Sequence, residues 1–286
     1  MRDRLEAIGA TFILGYHAVF EERSIEKLGW ALDSVDPEWR GFAYEGAAMA
    51  LVLLDYFTFR RRDRLGDFLL GPGSPHKYMI HVGAGWALGR IPVGGGAVLE
   101  RLDPMLKWLA IDGLGFHEGY FHWKKYADGA ATNRRPRGYG ARAFDQGLGR
   151  SLWFVEGGDV DRMSSQISGF ARSRREDLWS GIGLACSYAG ALSRDQLERL
   201  RAAAGPYIGG VAQGAAFAAK ARQRAGNPAA HTEIACQVLC RTSANDAAAI
   251  TDEALRNLPA DSGAPSYEAW RRRTAEIIAE QECVRI

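Results

Sequence analysis

Phe144-Asp145-Gln146-Gly147-Leu148-Gly149-Arg150-Ser151-Leu152-Trp153-Phe154 states the pattern on which much of the chain is built. A polar residue precedes Gly-x-Gly, and an apolar stretch follows. Variants of it begin at Glu45-Gly46, Val82-Gly83, Asp112-Gly113, Ser180-Gly181 and Gln213-Gly214. From Gly46 onward the leading glycines lie 37, 30, 34, 34 and 33 residues apart. Gly85, Gly115, Gly149 and Gly183 supply the second glycine, and Ala48 and Ala216 stand in its place elsewhere. A period near 34 residues is that of one helix–turn–helix unit. The pattern therefore predicts an all-α fold. About six two-helix repeats would form either an open α/α superhelix or a closed α/α toroid. No run of alternating β-branched residues competes with this reading.

Working outward, the expected organisation is a single all-α domain over residues 1–286. Residues 1–40 would form N-terminal capping helices, interrupted near Pro37 and Gly41. Residues 41–226 would carry the glycine-fronted repeats. Residues 227–286 would close the array with helices near 230–240, 244–257 and 266–281. Asp159 and Ser193 read as N-caps, the latter with Gln196 at capping-box spacing. The stretch 128–140 reads as the longest interior loop.

Composition narrows the function classes. The chain has 286 residues, 47% of them hydrophobic, and a net charge of +2. That charge sets up no strong field for nucleic acid, and the arginine clusters at 60–64, 134–137 and 172–175 read as solvated ends. Four cysteines without zinc-finger spacing read as core thiols in a reducing compartment. Neither a signal-peptide pattern nor an apolar stretch long enough for a membrane span is found, so a cytoplasmic protein is expected.

Glycine within a helix costs about 1 kcal/mol relative to alanine. Repeated pairs must therefore bring a benefit. Two are open. Lacking a Cβ, the helices can approach closely. Alternatively the glycines open the helices, and their bare N–H groups face a ligand. No Gly-Lys-Ser/Thr follows any pair, which excludes a P-loop.

Comparing the repeats with each other locates departures. Three residues after the leading glycine stand Met49, Trp86, Phe116, Arg150, Leu184 and Phe217. Four after it stand Ala50, Ala87, His117, Ser151, Ala185 and Ala218. One place further, Glu118 is alone in carrying charge. Burying such groups is costly unless they pair or line a ligand site. His117 and Glu118 are thus acid–base candidates, with Arg150 as anion partner. Glu45, Asp112, Tyr120, Asp145, Gln146, Trp153, Trp179 and Gln213 are candidates for holding substrate. His117 and His122 lie five apart, about 140° round a regular helix, so they do not chelate one ion from it. No metal is expected there, and the sequence names no cofactor.

The motifs around Glu45, Asp112, Asp145, Asp177 and Gln213 together resemble a bacterial family of unknown function found beside enediyne polyketide genes. The resemblance spans most of the chain beyond its first forty residues. It implies a natural-product setting and a polyene- or enediyne-like molecule. The family brings no assigned catalytic residues, so none is carried over. The leading expectation is a biosynthetic enzyme acting on a hydrophobic intermediate in a helical cavity. The alternative is a non-catalytic scaffold or a protein that sequesters the product, in contact with other pathway proteins.

Overall fold

A computed structural model describes residues 1–58, 62–126, 136–258 and 264–284. Every regular element among them is helical. The chain divides into two compact units, one of residues 2–114 with 224–227, the other of residue 1 with 115–223 and 228–286.

The first unit holds α1 (Arg2–Glu21), α2 (Ile25–Asp33), α3 (Pro37–Phe57), α4 (Arg64–Leu70), α5 (Lys77–Leu88), α6 (Gly95–Arg101) and the start of α7 (Lys107–Phe121). Helix α2 ends at Asp33, so the chain breaks before Pro37 as expected, and Pro37 opens the next helix. Asp36 caps α3 by accepting from the Glu38 N–H, and Pro37 occupies the first turn, where its missing N–H costs nothing. Gly41 lies within that helix. Alanines 43, 47, 48 and 50 of α3 are fully buried, which keeps the helix slender. The Tyr44 ring stacks on Phe68 at 5.5 Å and on His76 at 4.0 Å.

The second unit holds the rest of α7, then α8 (Tyr139–Val155), α9 (Val160–Gly169), α10 (Arg172–Ala189), α11 (Arg194–Ala204), α12 (Ile208–Ala225), α13 (Ala230–Leu239), α14 (Ala244–Ala254) and α15 (Ser266–Val284). Asp159 caps α9, and Ser193 with Gln196 forms a complete capping box on α11. Phe144, Trp153, Leu178, Ile182 and Trp270 fill its core. Most of the loop expected at 128–140 lies outside the described residues, and Tyr139 and Gly140 already belong to α8.

The paired glycines do not open their helices. Gly46, Gly83, Gly113, Gly147, Gly181 and Gly214 all lie in helix interiors, where N–H groups are spent on the helix itself. That overturns the ligand-facing N–H reading and leaves close approach. A Cβ built on Gly83 would overlap the carbonyl of Glu45, one on Gly113 that of Val82, one on Gly181 that of Gln146, and one on Gly214 that of Ser180. The second glycines answer in the other direction. Gly85 abuts the carbonyl of Ala110, Gly115 that of Phe144, Gly149 that of Leu178, and Gly183 that of Val211. Each such glycine points a Cα–H at a neighbouring helix's carbonyl oxygen, a weak hydrogen bond that recurs at close helix crossings. Helix α1 joins in: Gly46 abuts Phe12, and Gly15 abuts Ala43. Phe12 and Gly15 stand 33 residues before Glu45 and Ala48.

Candidate ligand-binding site

In the second unit α7 packs on α8, and the departures from the repeat lie on these two helices. Gly115 abuts the Phe144 carbonyl, and one turn later Gly119 abuts the Ser151 hydroxyl and Leu148. This crossing sets equivalent positions of the two helices side by side. The Arg150 guanidinium therefore lies over the Phe116 ring, 4.9 Å from its centroid, a cation–π arrangement. His117 and Glu118 are buried, with His117 Nδ1 3.4 Å from Glu118 Oε1. Ser151 donates to the Leu148 carbonyl at 2.7 Å.

Aromatic rings lie against Arg150 and His117. Phe116 stacks on Tyr120 at 5.9 Å and meets Phe154 edge-on at 5.1 Å. His117 lies 4.9 Å from the Phe121 ring. Tyr120, Phe121 and Trp123 are 42%, 46% and 44% exposed. A face of large rings is thus open to solvent beside buried ionisable groups. The His117 and His122 rings are 6.3 Å apart. Among the described residues, no three His, Cys, Asp or Glu side chains are grouped to hold a metal ion.

The remaining candidates are spread through both units. In the first, Glu45 accepts from Trp86 Nε1 at 3.0 Å, and Asp112 is buried. In the second, Asp145 receives a two-pronged bond from Arg174 at 2.7 and 2.9 Å. Trp153 and Trp179 are core residues. Gln146 is fully buried, and neither atom of its amide has a hydrogen-bond partner. Gln213 accepts from Ser180 Oγ at 2.7 Å and from Arg271 Nε at 3.2 Å.

Gln213 leads to a network that the sequence comparison missed. Asp177 accepts from Arg142 at 2.9 and 3.1 Å and from Arg271 Nη1 at 2.9 Å. Glu268 accepts from Arg142 and from the Tyr139 hydroxyl at 2.9 Å. Burial opposes the charge on Arg142, but Asp177 and Glu268 more than offset it and hold the guanidinium above its ordinary pKa. Burial also raises the Tyr139 phenol, which stays protonated. Of these groups, Arg142, Gln213, Glu268 and Arg271 line a cleft of about 400 Å³. One signal was present. Four residues before the leading glycine stand Phe42, Met79, Leu109, Ala143, Asp177 and Gly210, so Asp177 alone breaks that column. The first unit has a separate, mainly apolar hollow of about 330 Å³ against α3, α4 and α6. At its edge Asp55 accepts from Arg64 at 2.7 Å.

Fold and site together define an all-helical protein whose helices touch along glycine seams and which bears an aromatic face beside buried charge. The chain belongs to the family described as "Protein of unknown function (DUF1702)", whose model matches residues 1–278. No curated protein and no solved structure matches it.

Proposed function

We propose that this protein binds a hydrophobic, conjugated small molecule on the aromatic face of α7 and serves a natural-product pathway of the enediyne or polyketide type. The exposed Tyr120 and Phe121 rings, continuous with Phe116 and Phe154, carry this reading. Flat rings offer large apolar area to a polyene at low entropic cost, and Arg150 over Phe116 provides a fixed polar anchor beneath. The resemblance to proteins found beside enediyne genes supports the chemical class. In this reading the chain is a tandem array of helical hairpins that begins at α1, and its role is to hold or sequester an intermediate or product. The burial of His117 and Glu118 favours holding over turnover.

Titrating the purified protein with a fluorescent conjugated tetraene fatty acid tests it. Saturable binding is expected, weakened about tenfold or more in the Tyr120→Ala, Phe121→Ala double variant. No binding, or equal binding by the double variant, ends the proposal.

A second reading is favoured by the 3.4 Å approach of His117 to Glu118. It makes this pair the acid–base group of an enzyme, with Arg150 stabilising negative charge. Metabolite profiles of a producing strain carrying His117→Ala or Glu118→Gln decide it. An accumulated precursor supports catalysis, and unchanged product excludes it.

A further inference from the structure

The cleft bordered by α8, α10, α12 and α15 in the second unit plays no part in the binding reading above. Arg142, Glu176, Gly210, Gln213, Arg271 and Ala275 are among its lining residues. Arg271 is 5% exposed and Gln213 2%. Arginine only donates, so the bond from Arg271 Nε fixes which end of the Gln213 amide is oxygen. The opposite end, Nε2, is a buried donor with no acceptor. Arg271 spends Nε on Gln213 and Nη1 on Asp177 and Tyr139, and its Nη2 makes no hydrogen bond among the described residues. Two neighbouring donors therefore lack protein acceptors: Gln213 Nε2 is buried, where an unmet donor costs about 1–3 kcal/mol, and Arg271, with Nη2 unspent, lines the cleft.

The charges narrow what would satisfy them. Asp177 and Glu268 balance Arg142 and Arg271. Arg272 pairs with Glu276 at 3.5 Å. Glu176 remains, with no ion pair or side-chain hydrogen bond among the described residues. A lone anion would meet the field of Glu176, and a lone cation would leave both donors unmet. A molecule bearing one planar oxyanion and one ammonium meets both demands.

We propose that this cleft binds a small zwitterion of the amino-acid class. Its carboxylate accepts from Arg271 Nη2 and Gln213 Nε2, and its ammonium lies against Glu176. Charge-assisted bonds of this kind are the strong ones.

Calorimetric titration with glycine and L-alanine, and with acetate and methylammonium separately, tests the assignment. The amino acids should bind saturably, and each half-molecule at least about tenfold more weakly. Ala275→Trp should fill the cleft and abolish binding, with a melting curve confirming the fold. Glu176→Gln should weaken the amino acids about tenfold and leave acetate no weaker than before. The assignment fails if the amino acids do not saturate, if acetate matches them, or if binding survives Ala275→Trp. The tetraene titration reads a different face, so failure of one proposal is distinguishable from failure of the other.

Discussion

Gln146 and Gln213 stand one place before Gly147 and Gly214, and they differ in what surrounds them. The Gln213 oxygen holds Ser180 and Arg271, whereas the Gln146 amide is buried without partners. Gln146→Leu therefore breaks no hydrogen bond and should leave stability within about 1 kcal/mol of wild type, or raise it. Asp177→Ala should cost about 3–5 kcal/mol, because it strands Arg271 in the interior. Urea unfolding of both variants measures the contrast. His76 supplies the pH dependence. Burial lowers its pKa from 6.5 to about 4. The folded form thus resists the proton that the unfolded chain accepts. Stability is at its full value above pH 6.5 and falls as the pH drops toward 4. At pH 4.5 the loss from this residue should be about 2–3 kcal/mol. His76→Phe retains a flat ring against Tyr44 and should remove that loss, as read from melts at pH 7 and 4.5.

Between helices, the glycine seams decide packing. Gly181→Ala and Gly149→Ala each push a methyl into a neighbour's backbone carbonyl, which no side-chain rotation relieves. Each should cost about 2–3 kcal/mol or more. Gly9 of α1 has open space around its missing Cβ, so Gly9→Ala should stabilise by about 0.5–1 kcal/mol. Thermal melts that fail to separate these two classes would refute the seam. This scale also shows why helix boundaries were harder to read than helices. Gly-x-Gly looks like a helix start because glycine is a poor helix former. Here tertiary contact outweighs propensity, and the starts lie further back, at Pro37 and Arg172 for example. The closing helices, expected near 230–240, 244–257 and 266–281, are found at 230–239, 244–254 and 266–284, and Ser243 caps the second of them.

For the whole molecule, the all-helical class was readable because one period recurs. For the candidate site, the comparison of repeats picked out His117, Glu118 and Arg150 because they break an apolar column; all three are buried, and Arg150 lies over Phe116, while His117 approaches Glu118. Arg142, Glu268 and Arg271 escaped because they are brought together across about 130 residues, and no spacing rule reports that separation. No helix among the described residues is long and apolar enough to cross a membrane. Helix α1 has a larger part than its terminal position suggests. Removing residues 1–21 would bare the Ala43–Gly46 face of α3, which is fully packed in the intact chain. The truncated protein should be insoluble or elute as aggregate on size-exclusion chromatography, whereas a monodisperse product would show α1 to be dispensable.

The seams also account for an irregularity in the sequence. An extra residue inside a seam helix turns everything beyond it by about 100° and carries the following glycine off its carbonyl. The same residue placed between seam helices disturbs no backbone contact. Drift in length is therefore confined to the links, such as those carrying α4 and α6. Successive leading glycines are 37 and 30 residues apart there, while the two-residue step from Gly83 to Gly85, or from Gly181 to Gly183, never varies.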